Sequence, residues 1–131
     1  MSEYVTVGST AVLEWLVEEK HCTRRGDEYI FSTPNLVMLL EEASMKVLEP
    51  HLGPEHGSVG TRVDVRHLAP TPNGMRVRAT AEVVEVDRRR VVFKVSITDE
   101  VEPIGEATHE RFIVDLNRFE ERLRAKHESQ V

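Results

Sequence analysis

Residues Ser32 to Pro50 read STPNLVMLLEEASMKVLEP, and they describe a helix built to be surrounded. Ser32 or Thr33 can cap its start, and Pro34 suits the first helical turn, where its missing N–H costs nothing. Leu36, Leu40, Ala43 and Val47 recur at helical spacing, with Val37, Leu39, Ser44 and Leu48 beside them. That apolar arc is too wide for a helix resting on one surface, so the helix is expected to be mostly buried. Glu49-Pro50 ends it, because the residue before a proline avoids helical backbone.

The flanking segments read as strands. In TAVLEWLVE, residues 10 to 18, Ala11, Leu13, Trp15 and Val17 fall on one face and Thr10, Glu14 and Glu18 on the other. Period two with one wet face is a half-buried strand. Residues 19 to 28 are polar and charged and read as a loop; Tyr29 to Phe31 read as a short extended piece. After the helix, residues 51 to 58 form a turn. Val59, Thr61, Val63 and Val65 then alternate with Gly60, Arg62, Asp64 and Arg66. A Pro70-Thr71-Pro72-Asn73-Gly74 turn leads into a long strand from Met75 to Val86. Asp87 to Arg90 is a hairpin tip, Val91 to Ile97 the next strand, and Ile104 to Val114 the last. Residues 116 to 126 close the chain as a short amphipathic helix through Leu116, Phe119 and Leu123.

Consecutive strands joined by short turns are antiparallel. One nearly all-apolar helix followed by a meander implies an α+β hot-dog arrangement, a sheet wrapped around a central helix, in one domain spanning 1–131. Such a sheet leaves its edges open, and pairing with a second copy closes one. A homodimer is therefore expected, with a tetramer of two dimers as an extension.

Composition removes other classes. The chain has 131 residues and a formal net charge of -6, without the basic footprint that gripping nucleic acid requires. No run approaches the ~20 apolar residues of a membrane span, and the N-terminus does not read as a signal peptide. Cys22 is the lone cysteine and has no partner for an internal disulfide, so a cytoplasmic setting is expected. The six histidines show no metal-ligand spacing, and no GxSxG, GxGxxG or phosphate-loop motif occurs. Neither a metal nor a cofactor is expected.

Sites gather where local patterns break. Glu42 points with Asn35, Lys46 and Glu49 on the polar side of the helix, but Glu41 lies at the rim of the apolar arc beside Val37, Ser44 and Leu48. A carboxylate against apolar surface is harder to ionise and suits a general base, whereas the same glutamate paired with an arginine is simply a boundary residue. His67 extends the face of Val59, Thr61, Val63 and Val65, as either a satisfied core histidine or part of a site. Thr33 is an N-cap or a group at a helix N-terminus where an oxyanion can be held. Gly60 is a bend or a point of close substrate approach. Arg88-Arg89-Arg90 reads as a solvated hairpin tip with a capacity for phosphate. His109 and Arg111 share a face opposite Phe112 and Val114 and read as surface residues.

Three stretches carry a resemblance: STPNLVMLLEEAS (Ser32 to Ser44), GSVGTRVDVRHLAPTPNG (Gly57 to Gly74) and IGEATHERFIV (Ile104 to Val114). Together they resemble the fluoroacetyl-CoA thioesterase family of hot-dog proteins, over most of the chain from about Val7 to the last strand. The resemblance implies hydrolysis of an acyl-CoA thioester, with CoA entering only as part of the substrate. It assigns the catalytic threonine, glutamate and histidine to Thr33, Glu41 and His67. It sets Gly60 beside the thioester and Arg111 at the matching place in the last strand. The family's fluoroacetyl-specific enzyme has an aromatic, proline-containing lid before the helix; here the segment is KHCTRRGDEY, Lys20 to Tyr29. That departure argues against fluoroacetyl specificity, and a short charged segment favours small or polar acyl groups over long fatty chains. The rival is a hot-dog module that binds an acyl-CoA or small acyl ligand without turning it over.

Overall fold

A computed structural model describes residues 4–130. Seven strands and two helices follow one another as β1 (Thr10–Leu16), β2 (Cys22–Arg25), β3 (Glu28–Phe31), α1 (Thr33–Leu48), β4 (His56–His67), β5 (Arg76–Asp87), β6 (Arg90–Thr98), β7 (Pro103–Asp115) and α2 (Leu116–Glu128). Five of the strands form one antiparallel sheet in the order β1-β5-β6-β7-β4. Its inner face wraps α1, which buries Leu36, Leu39, Leu40, Ala43, Val47 and Leu48. The helix packs chiefly on β1 and β5, where Ala79 and Ala81 leave room for its leucines. The buried hydroxyl of Ser44 stays satisfied by donating to the Leu40 carbonyl at 2.9 Å.

The start of α1 is resolved in favour of Ser32. Its side chain accepts from the Asn35 amide at 3.3 Å, so Ser32 is the cap and Thr33 the first helical residue. Past Leu48 the chain tightens into a 3-10 turn, Glu49–His51, with Pro50 inside it.

Three readings of the sequence are corrected. Residues 19 to 28 are not a plain loop: a 3-10 turn, Glu19–His21, leads into β2, which pairs with β3 in a separate two-stranded sheet. The turn at Gly26, with φ of 62°, closes this hairpin, and its charge pattern hides the strand from a hydrophobicity reading. The hairpin touches the main body through Phe31 N–H to Thr71 O (2.8 Å), Asn73 N–H to Tyr29 O (2.9 Å) and the stack of Trp15 on His21.

The second correction lies in β4. The register against β7 steps from Gly60↔Arg111 to Arg62↔Glu110, so Thr61 is the extra residue of a β-bulge. Directly paired residues share a face. Ser58 and Gly60 therefore face inward before the bulge, and Val63, Val65 and His67 face inward after it. The expected single run of Val59, Thr61, Val63, Val65 and His67 is broken, and Gly60 and His67 stand on the same face.

The third correction lies in β7. Ala107, His109, Arg111 and Ile113 are the buried set, with His109 at 0% and Arg111 at 4% exposure. Phe112 and Val114 are on the other face and only half-buried. The polar pair is the inner one.

Candidate active site

Two clusters of polar side chains lie between α1 and the sheet. The first is at the N-terminus of α1. Because Ser32 does the capping, the Thr33 hydroxyl is free, and its Oγ1 lies 2.8 Å from Nδ1 of His67 at the end of β4. The far nitrogen of that ring, Nε2, is buried and has no hydrogen-bond partner in the chain. A buried imidazole nitrogen without a partner is costly, so it marks a place where another group is meant to arrive. Burial lowers the His67 pKa and favours the neutral ring. The pair opens onto a cavity of about 420 Å³, whose wall also includes Thr23 and Arg25 of the β2–β3 hairpin.

The second cluster is built around Glu41, which lies eight residues further along α1. At about 1.5 Å per residue that is roughly 12 Å along the helix axis. Arg111 reaches across from β7, and its Nη1 donates to Glu41 Oε2 at 3.1 Å. The same nitrogen lies 3.1 Å from Nε2 of His109. The rest of the guanidinium is fixed by β4: Nε donates to Ser58 Oγ at 2.9 Å and Nη2 to Ser58 O at 3.1 Å. Burial draws the Arg111 pKa downward and Glu41 draws it back, and an arginine keeps its charge throughout.

An arginine can only donate, so Nε2 of His109 must accept from it, and the ring proton is on Nδ1. Nδ1 donates to the Arg62 carbonyl at 2.8 Å. Burial is the main cause that lowers the His109 pKa, and Arg111 adds to it. The 3.8 Å approach of His109 Nε2 to Glu41 Oε2 is therefore a contact with a neutral ring, not an ion pair.

Gly60 makes this cluster possible. A β-carbon there would stand 2.6 Å from Glu41 Oε2 and 3.2 Å from Arg111 Nη1. Only a residue without a side chain lets the carboxylate reach Arg111 over the strand. The bulge at Thr61 sets both this opening and His67 on the inner face.

The structure thus brings Thr33 to His67, and Glu41 to Gly60 and Arg111, but it does not join the two sets within one chain. It pairs Glu41 with an arginine rather than leaving it against bare apolar surface. His109 and Ser58 are the residues that sequence reading left aside. Counting in twos from Ala107 to Ile113 would have set His109 and Arg111 inward. Ser58 gave no signal, because the bulge reverses its phase relative to Val63. Among the described residues, no group of three or more His, Cys, Asp or Glu is gathered as a metal site. No helix among the described residues is long and apolar enough to cross a membrane. Of the three hairpin-tip arginines, Arg90 is engaged by Glu85 and Glu110.

A long helix enclosed by an antiparallel sheet, with polar groups from the helix meeting the inner faces of β4 and β7, is a thioesterase-type hot-dog. Among solved structures it superposes on the fluoroacetyl-CoA thioesterase FlK with a TM-score of 0.86 at 34% identity, over 93% of this chain and 97% of that one. It also matches a Thermus thermophilus hypothetical protein described as a thioesterase superfamily member, with a TM-score of 0.84 at 27% identity, over 95% and 97% of the two chains. The chain belongs to the FlK family, described as fluoroacetyl-CoA-specific thioesterase, whose sequence profile matches residues 16–117. The fluoroacetyl-CoA thioesterase of Streptantibioticus cattleyicolor is 41% identical over 97 residues, which are 74% of this chain and 70% of that protein.

Proposed function

We propose that the protein hydrolyses a small acyl-CoA thioester to a carboxylate and free CoA, in a site completed by a second copy of the chain. The observation that carries this reading is the Thr33–His67 pair at the cavity wall, 2.8 Å apart, with the other imidazole nitrogen buried and unsatisfied. Membership of a thioesterase family supports the reaction class. The separation of the two clusters supports a shared site. Strand β4 is the outer edge of the sheet, and its middle, Gly60 to Asp64, is exposed. An edge of twelve residues invites strand pairing. If two copies pair about a two-fold axis at Asp64, with the bulge residue Thr61 left unpaired, His67 comes opposite Gly60 of the partner subunit. Each Thr33–His67 pair then faces Glu41 of the partner subunit.

In that site Glu41 acts on water as a general base, or attacks the thioester directly through an anhydride that water then opens. On the first route the water oxygen bonds the carbonyl carbon and its proton passes to the Glu41 carboxylate. The electron pair moves to the carbonyl oxygen, held by backbone N–H groups near Gly60. Collapse breaks the C–S bond, and the proton on Glu41 returns to the departing thiolate by way of the His67 ring, which is neutral before and after, while Thr33 orients the attacking group. Arg111 holds the carboxylate in place. The charged hairpin beside the cavity favours small or polar acyl groups. CoA is part of the substrate, and the reaction as written uses no cofactor.

The test is free-thiol release from acyl-CoAs of increasing chain length. Glu41→Ala and His67→Ala are each expected to lower kcat/KM by at least ~100-fold. Mixed after co-refolding, the two inactive variants should regain about a quarter of wild-type activity, because half of the dimers are then heterodimers with one intact site each. A mixture as inactive as its components would refute the shared site. Bound acyl-CoA without release across the panel would leave a binding module instead.

A further inference from the structure

His109 has no step in this scheme, yet it is fully buried, and both of its ring nitrogens are engaged. Its Nδ1 is anchored to the Arg62 carbonyl, on the residue that follows the bulge, and its Nε2 accepts from Nη1 of Arg111. Phe93 lies against the ring, with centroids 6.3 Å apart and planes tilted by 30°. The ring is thus held from three sides. Nη1 of Arg111 has two hydrogens, and the geometry gives one to His109 and the other to Glu41. An apolar residue would fill this volume without the desolvation that a buried imidazole costs.

We infer that His109 is a positioning residue, a fixed hydrogen-bond acceptor that aims the Arg111 guanidinium at Glu41. The inference rests on the proposed role of Glu41. Ser58 fixes one side of the guanidinium through Nε and Nη2, and His109 fixes the Nη1 corner from which the Glu41 contact is made. Without the acceptor, Nη1 loses one of its two partners, and the ion pair alone sets the orientation of the carboxylate. The effect is on where the carboxylate points and not on substrate affinity, so it belongs in kcat.

The experiment compares His109→Gln, which keeps an acceptor near the Nε2 position, with His109→Leu, which removes it. Both are made alone and on a Glu41→Gln background, with thiol release and thermal unfolding followed in parallel. His109→Leu is expected to lower kcat by ~10- to 100-fold with KM changed less than ~3-fold. His109→Gln is expected to recover kcat to within ~5-fold of wild type. Added to Glu41→Gln, His109→Leu should cost no further activity, since a residue that acts through Glu41 has nothing left to position. Wild-type kcat in a folded His109→Leu, or a loss that adds in full to that of Glu41→Gln, overturns the inference. If His109→Leu fails to fold, His109→Phe, which fills the ring volume beside Phe93 without an acceptor, gives the same comparison alone and on the Glu41→Gln background. Wild-type turnover in Glu41→Gln alone overturns the reading of Glu41 itself, and the single variant identifies that failure separately.

Discussion

Adding one methyl group at Gly60 should slow turnover on the order of 100-fold while leaving the fold intact. In Gly60→Ala the new β-carbon would stand 2.6 Å from Glu41 Oε2, against an ordinary contact that begins near 3.4 Å. The carboxylate must therefore retreat by about 0.8 Å. Arg111 Nη1 and His109 Cε1 are each 3.2 Å from the same point, and both groups are held by hydrogen bonds that prevent them from following. A displacement of about 1 Å at a reacting group costs on the order of 100-fold. That corresponds to about 2.7 kcal/mol of transition-state stabilisation. Stability should move the other way, if at all. Gly60 is not among the residues with positive φ, so alanine fits its backbone and gains about 0.4–1 kcal/mol by stiffening the unfolded chain. The collision is with the end of a flexible side chain, which absorbs it cheaply. The assay is kcat/KM by thiol release beside a thermal melt. Wild-type kcat/KM in Gly60→Ala would refute the claim that the position of Glu41 matters. Activity and Tm falling together would refute the claim that the side chain absorbs the clash.

Thr33→Val removes the hydroxyl that meets His67 Nδ1 and should lower kcat/KM by at least ~100-fold, while Thr33→Ser stays within ~10-fold of wild type; equal losses in both would make the hydroxyl irrelevant. Ser32→Ala removes the cap of α1 and should cost about 1 kcal/mol, seen as a Tm lower by several degrees with kcat nearly unchanged. Burial lowers the pKa of His67 and of His109 below the ordinary 6.5, so on acidification the unfolded chain takes up protons first. Stability from these groups is complete above about pH 6.5 and declines below it. The fall in Tm between about pH 7 and pH 5 should be shallower in His67→Asn and in His109→Gln, and slopes equal to wild type would contradict the burial argument.

The central helix and the meander were legible because each carries a long stretch of unbroken periodicity. Leu36, Leu40, Ala43 and Val47 repeat over about three turns, and Val77, Ala79, Ala81 and Val83 alternate without a break. The β4 pattern misled because a single extra residue, Thr61, reverses the phase, and a bulge leaves no mark in composition. The β2 strand was missed for another reason: Thr23, Arg24 and Arg25 form a ladder whose side chains stay in water. Thr33, Glu41 and His67 stood out as residues out of keeping with their surroundings, and the structure sets them in two groups of partners. Alternation alone left His109 and Arg111 open as surface residues, because charge was weighed above phase, and only the resemblance pointed to Arg111. A buried arginine is rare, and here it needs four acceptor contacts, from Ser58, Glu41 and His109, that only the folded register assembles.

The β2–β3 hairpin stands apart from the five-stranded sheet, yet it contributes Thr23 and Arg25 to the cavity wall beside Thr33 and His67. Its strands form a ladder with each other, and a single antiparallel bridge from Ile30 to Pro72, with main-chain bonds at Phe31 and Asn73, ties its root to the turn before β5. Evolution can therefore rewrite the entrance separately from the reaction centre. Residues 22 to 28 can be exchanged, lengthened or recharged without altering the register of any strand that carries Glu41's partners. For an engineer the same division marks a graft point: hairpins of different chemistry can be transplanted between Cys22 and Phe31 to change what is admitted, on an unchanged frame.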